Sequence, residues 1–195
     1  MNVSIIKYNA GNIQSVLFAL ERIGVAATVT DNIDVLKESD KLILPGVGEA
    51  SSAMKYLKEN NLDKVIVNLK QPVLGICLGM QLMCQNSEEG NTNCLGIFDT
   101  AVKLFPPSNT VKTPQIGWNT IYDLKTNLYK GISENEYKYF VHSYYAEISK
   151  HTIAKTTHGL EYSSSLQKDN FYGVQFHPEK SGDVGQQLLE NFIKL

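Results

Sequence analysis

The 195-residue chain predicts an α/β fold: an open, mostly parallel central sheet flanked by helices, with a nucleophile elbow and a β-rich C-terminal half. Three observations predict it. Residues up to Asn86 alternate short apolar runs with stretches of helical spacing, as βαβ units do. The apolar run Val73–Ile76 passes directly into Cys77, with Gly75 and Gly79 on either side. From Gly96 onward the segments are short and their period falls towards two.

Taken in order, Val3–Tyr8 reads as a first buried strand. Asn12 is suited to cap a helix whose apolar residues Ile13, Val16, Leu17, Leu20 and Ile23 share one face, with Gly24 as its stop. Ala27–Thr30 is a second strand, Asp31 caps a short helix, and Lys41–Leu44 is a third strand. Helices over about 49–60 and 62–69 lead to the fourth strand, Val73–Ile76. Ser87–Cys94 is polar and rich in Asn and Gly, hence a surface loop. The back half offers strands over 99–104, 119–122, 137–141, 145–148, 152–156, 161–166 and 171–176. A helix over 186–195 closes the chain, with Leu188, Leu189, Phe192 and Ile193 as its apolar stripe. One domain spanning residues 1–195 is expected, since no linker, repeat or low-complexity tract interrupts the pattern.

Gly75-Ile76-Cys77-Leu78-Gly79 is a nucleophile-elbow pattern with cysteine in place of serine. A strand that turns straight into a helix crowds the backbone, and residues without Cβ relieve that crowding. The turn lifts the thiol to the positive end of a helix dipole, which favours thiolate. Free N–H groups of the first helical turn, Leu78's first, can face a developing oxyanion. The competing reading is a small buried cysteine at a strand–helix junction, and the motif alone divides the two evenly. Pro45-Gly46-Val47-Gly48 follows the third strand, where open α/β sheets bind ligands. It offers a second oxyanion donor, although by itself a tight turn is the simpler reading. The glycines flanking Val47 suggest a loop that rearranges before its N–H reaches the hole.

Composition narrows the function. Net charge is −2 with both signs interspersed, which leaves no basic footprint for nucleic acid. No apolar run approaches bilayer length and the N-terminus lacks a signal-peptide pattern, so a cytoplasmic protein is expected. Cys77, Cys84 and Cys94 are odd in number and lack C-x-x-C spacing, which argues against disulfides and zinc. No metal or cofactor site is expected.

Of the histidines, His151 and His158 lie in polar context and read as solvated. His142 interrupts an aromatic strand and reads as structural or as a pocket wall. His177 ends the most apolar late strand and precedes Pro178 and Glu179. Residues two apart on an extended segment project to one side, so Glu179 can orient one ring nitrogen while the other faces a thiol. Alone this pair reads as incidental; with Cys77 it completes a Cys–His–Glu triad.

Gly75-Ile76-Cys77-Leu78-Gly79-Met80-Gln81 together with Gln175-Phe176-His177-Pro178-Glu179 resembles the class I (triad) glutamine amidotransferases. Within that class, Pro45–Gly48, Gly117-Trp118-Asn119, Phe140–Tyr145 and His177–Gly182 resemble the glutaminase subunits of imidazole glycerol phosphate synthase, over essentially the whole chain. The resemblance implies Cys77 as nucleophile, His177 as general base and acid, and Glu179 as orienter. It implies an oxyanion hole from Leu78 with Val47 or Gly48, and substrate contacts from Gln81, Ser143 and Tyr144. It puts Asn12, Trp118 and Lys180 at a partner interface; read alone, Trp118 is a core aromatic and Lys180 a solvated lysine. The partner implied is a cyclase subunit, in a heterodimer. That subunit uses the ammonia to make imidazole glycerol phosphate and aminoimidazole carboxamide ribonucleotide in histidine biosynthesis. Two departures from the family are visible: Lys7-Tyr8-Asn9-Ala10-Gly11-Asn12 replaces an acidic-Tyr-Gly-x-Gly-Asn pattern, and Gln115 stands where histidine is common. A stand-alone cysteine hydrolase and a non-catalytic binding module are the alternatives, and the complete triad opposes the second.

Overall fold

The computed structural model describes residues 1–9 and 11–195, so Ala10 of the N-terminal turn lies outside the described residues. Strands β1 (Val3–Ile6), β2 (Ala27–Thr30), β3 (Lys41–Leu44) and β4 (Val73–Ile76) alternate with helices α1 (Ile13–Arg22), α2 (Ile33–Glu38), α3 (Ala50–Glu59) and α4 (Leu62–Ile66). Helix α5 (Leu78–Met83) leaves β4 at Cys77. The back half adds β5 (Asn86–Ser87), β6 (Thr92–Asn93), β7 (Ala101–Leu104), β8 (Gln115–Thr120), β9 (Tyr137–His142) and β10 (Tyr144–Ala146). It continues with β11 (Thr152–Thr157), β12 (Glu161–Lys168), β13 (Phe171–Val174) and the closing helix α6 (Gly182–Lys194).

The main sheet runs β2-β1-β3-β4-β13-β12-β10-β7-β5-β6, with β11 paired to β12, while β8 and β9 form a separate ribbon. Pairing is parallel from β2 through β13 and antiparallel from β13 through β12 and β10 to β7. The last strand therefore sits in the middle of the sheet, beside the strand that carries Cys77. Ile76 is in register with Val174, so the residues that follow β4 and β13 emerge side by side at one edge. Carboxyl ends of parallel strands are where such sheets build sites.

Both faces of the parallel half are covered, as the continuous apolar strands require. Leu42, Leu44 and Val73 pack with Leu36, Met54, Leu57 and Ile66 from α2–α4 on one side. Ile43, Leu74 and Ile76 pack with Val16, Leu20, Leu188 and Phe192 from α1 and α6 on the other. Alternate residues of one strand thus feed two cores, and a one-residue slip would exchange the two sets between faces packed for different side chains.

Several local expectations need correction. Asn32, one residue beyond Asp31, caps α2: its side chain accepts from the N–H groups of Asp34 and Val35. Asn12 precedes α1 but adopts φ 73° and makes no side-chain cap. The strand expected at 119–122 is β8, at 115–120, because pairing with β9 carries through Gly117 at φ 123°. The strand expected at 145–148 is β10, which ends at Ala146. Residues 87–94 are not all loop, since β5 and β6 pair around a short 3-10 turn. Helix α6 starts four residues earlier than 186, and Gly185 there lies against the Pro178 carbonyl, where a Cβ would clash. His151 is buried beside Phe98 rather than solvated.

Candidate active site

The elbow forms as the glycine spacing predicts, for a reason that can be named atom by atom. Cys77 takes φ 52° and ψ −110°, a strained conformation of the kind held only where the surroundings over-determine it. Gly75 is needed because a Cβ there would stand 2.7 Å from the Met80 nitrogen. Gly79 is needed because a Cβ would run into the Leu44 carbonyl of β3. Crowding on both sides, rather than a left-handed backbone at the glycines, explains the motif.

His177 and Glu179 follow β13 and are drawn in by β9, where the Tyr139 carbonyl accepts from the His177 N–H. His177 Nδ1 lies 2.7 Å from Glu179 Oε1, with both side chains fully buried. A carboxylate only accepts, so Nδ1 carries the proton, while Nε2 is buried and makes no hydrogen bond among the described residues. Burial pushes the imidazole pKa down, but Cys77 and Glu179 on its two nitrogens reverse this and raise it to about 10. The imidazole therefore holds its proton beside the Cys77 sulfur, where a general acid for acyl transfer would stand.

A second polar chain reaches the thiol from below, through a residue to which the sequence assigned no role. Gln81 Nε2 donates to the Tyr144 carbonyl and to Gln175 Oε1, each at 2.9 Å. The Tyr144 carbonyl can only accept, which orients the Gln81 amide and in turn that of Gln175. Gln175 Nε2 is thereby presented to Cys77 Sγ at 3.6 Å. Gln175 was legible only as the start of the Gln-Phe-His-Pro-Glu run.

Cys77, Leu78, Val47, Gly48, Gln81, Ser143 and Tyr144 line one cleft of about 320 Å³, together with Val141, His142, Pro114 and Glu89. Glu89 is the other residue missed, because it sits in a stretch read as surface loop. Among the described residues it is the one carboxylate of the lining. It accepts from the Ala50 N–H at 2.8 Å, and its pKa is raised mainly by burial. His142 is structural and a wall at once: Nδ1 donates to the Tyr144 carbonyl at 2.7 Å, and burial depresses its pKa to about 3, so it stays neutral.

The N–H groups expected to form an oxyanion hole do not converge in this conformation. The Leu78 N–H donates to the Gly46 carbonyl at 3.3 Å. In a trans peptide C=O and N–H point oppositely, so the Val47 N–H is directed away from Leu78. The Val47 carbonyl in turn accepts from the Gly11 N–H at 3.2 Å. Gly48 at φ 137° supplies backbone freedom that a side chain would restrict.

The three residues assigned to an interface separate. Trp118 is 57% exposed rather than core, beside Ile116 at 65% on the same face of β8. Across the ribbon, Tyr137 is 59% exposed and Val141, paired with Ile116, lines the cleft. Lys180 is exposed, with its ammonium 5.9 Å above the Tyr139 ring. Asn12 turns its side chain to the His177–Glu179 pair, donating to Glu179 Oε1. Among the described residues no cluster suits a metal ion, and no helix is long and apolar enough to cross a membrane.

A family model described as glutamine amidotransferase class-I matches residues 4–195. The chain is 57% identical over 196 residues to "Imidazole glycerol phosphate synthase subunit HisH" of Bacteroides fragilis (strain YCH46), covering 100% of both chains. It is 45% identical to the protein of that name from Haemophilus influenzae (strain Rd), covering 100% of this chain and 98% of the relative. Among solved structures, a glutamine amidotransferase matches with TM-score 0.78 at 16% identity, covering 100% of this chain and 98% of that one. A glutamine amidotransferase from Thermotoga maritima matches with TM-score 0.66 at 17% identity, covering 100% of this chain and 83% of that one. At those identities the structures speak for the fold.

Proposed function

The chain belongs to the class-I glutamine amidotransferases, and from that premise we propose that it is the glutaminase subunit of imidazole glycerol phosphate synthase. It hydrolyses glutamine to glutamate through Cys77 and passes ammonia to a cyclase subunit. That subunit makes imidazole glycerol phosphate and aminoimidazole carboxamide ribonucleotide. The observation that carries the catalytic reading is the buried His177–Glu179 pair at 2.7 Å, beside a cysteine held at φ 52°.

The steps follow from the site. The Cys77 thiolate attacks the carboxamide carbon. The oxyanion that forms needs the Leu78 N–H and one from Val47 or Gly48, so the Gly46 carbonyl has to turn away first. His177, protonated at Nε2, gives that proton to the leaving nitrogen and ammonia departs. The neutral imidazole then takes a proton from water as it attacks the γ-glutamyl thioester, and glutamate leaves. Glu179 holds the ring in the tautomer that both transfers need.

Substrate orientation follows from donors and acceptors. The Gln81 amide nitrogen is fully used within the protein, which leaves its oxygen as an acceptor. That oxygen and the Glu89 carboxylate suit the α-ammonium of glutamine, while Ser143 and Tyr144 border the other end.

Delivery of ammonia requires a partner over the site. Ile116, Trp118 and Tyr137 form an exposed apolar face running towards Val141 at the cleft, the kind of patch that marks a protein interface. The test measures glutamate release by this chain alone, with the cyclase subunit, and with the cyclase plus its ribonucleotide. A sharp rise in the third mixture is the expected result. Equal rates in all three would instead mean an uncoupled hydrolase.

A further inference from the structure

Tyr8 follows β1 and is buried against the loop that has to turn over. Its hydroxyl donates to the Pro45 carbonyl at 2.5 Å. It occupies the notch left by Gly46, where a Cβ would collide with that hydroxyl and stand 3.0 Å from Leu78 Cβ. Burial raises the phenol pKa far above the working range, with the Cys77 charge adding to this, so the group remains a neutral donor. The carbonyls of Pro45, Gly46 and Val47 are thus each tied, to Tyr8, Leu78 and Gly11 respectively. The latter two bonds come from backbone N–H groups that every residue but proline supplies. The first comes from a side chain, and hence from a choice in the sequence.

We infer that Tyr8 is a positioning residue that acts through the Pro45 carbonyl to hold the 45–48 loop in the conformation where the oxyanion hole is unmade. The anchor lies one peptide before the Gly46 carbonyl. That carbonyl turns by rotation about the Gly46 Cα–C and Val47 N–Cα bonds, and Tyr8, bonded to the preceding peptide and packed in the notch at Gly46, fixes the pivot of that rotation. Tyr8 touches no reacting atom. Its hydroxyl weights the closed arrangement, and occupation by the partner and its ligand has to overcome it. The inference rests on the glutaminase reading above and adds the residue that sets the resting rate of that site.

The test uses Tyr8→Phe in the full chain and in its complex with the cyclase subunit. Losing one net hydrogen bond of ordinary strength from the closed state shifts the balance about threefold to tenfold. The unstimulated kcat for glutamine should therefore rise by about that factor with KM little changed, and the stimulation by cyclase and ribonucleotide should shrink in proportion. Hydrogen exchange at the Leu78 amide should quicken in the unstimulated variant, which a merely structural role would not produce. Tyr8→Met, which fills the space without a donor, is the second variant should Tyr8→Phe fold poorly. Unchanged or lowered basal kcat in a folded variant, with the stimulation ratio intact, overturns the inference. Wild-type protein that releases no glutamate in any mixture overturns the glutaminase reading instead, so the two failures are distinguishable.

Discussion

Lys138 is the least comfortable residue in the fold, and replacing it makes a quantitative test. It lies on β9 with Phe140 and His142 on the inward side and is fully buried, and its ammonium has no hydrogen-bonding partner among the described residues. Its company is the Phe176 ring, 5.8 Å away, and the Glu136 charge, which offsets only part of the burial. Burial lowers its pKa from 10.5 to about 8. A drop of that size carries a penalty of about 3 kcal/mol while the lysine is charged. The sign follows from the two states: below pH 8 both the folded and the unfolded chain bear the charge, and the fold bears the whole penalty. As pH rises from 8 to 10.5 the folded state is already neutral, and the penalty disappears.

Lys138→Met keeps much of the side-chain volume and removes the charge. With the lost cation–π contact and imperfect repacking deducted, the variant should be more stable at pH 7 by roughly 1–3 kcal/mol. For a chain of this size that is roughly 3–10 °C in Tm. Urea denaturation of both proteins at pH 7 and at pH 10.5 reads the difference, which should be present in the first and largely gone in the second. Equal stability at pH 7, or a gain independent of pH, would refute the argument that an unpaired ammonium is the cause.

Other outcomes follow from the site. Cys77→Ala should lower glutaminase kcat by at least about a thousandfold while folding and complex formation persist; retained turnover would remove Cys77 as the nucleophile. The same substitution removes the Cys77 sulfur that helps raise the His177 pKa, so NMR titration of that ring should show a lower pKa than in wild type. An unchanged titration would mean that Glu179 alone holds the proton. Glu89→Gln should raise KM for glutamine by about ten- to a hundredfold with a smaller effect on kcat, since one charged hydrogen bond to the ammonium is lost. Trp118→Ala should weaken cyclase binding by about thirtyfold in calorimetry while leaving the unstimulated rate of the isolated chain unchanged; undiminished affinity would put the interface elsewhere.

What was legible in the sequence was what local chemistry writes down. Val73–Ile76 and Leu42–Leu44 are apolar runs because both faces of their strands are buried, and the strands Val73–Ile76 and Lys41–Leu44 are legible to the residue. Gly75 and Gly79 announced the elbow because no other residue fits there. What escaped depends on partners distant in sequence. Gln175 acquires a role only when Gln81 and Tyr144 orient its amide across the sheet. Glu89 looked like loop polarity until the cleft closed around it. Asn12 had the composition of a helix cap, but Glu179 claims its amide instead. The pairing of β8 begins four residues before its expected start because β9 holds it, which a window on residues 115–118 cannot know.

The position of β13 bears on the order in which the molecule is made. Cys77 and its neighbour Gln175 are 98 residues apart in the chain, yet adjacent in the sheet. Among the described residues, β13 alone hydrogen-bonds the parallel strands to the antiparallel ones, and it follows every other described strand in sequence. While synthesis is under way, the helices and parallel strands that precede Asn86 can collapse with Cys77 among them. The imidazole, the carboxylate and the Gln175 amide do not yet exist to activate it. The groups that flank the Cys77 sulfur thus come together only after synthesis has passed Glu179 and a contact of long sequence separation has closed, the slow kind of contact in folding.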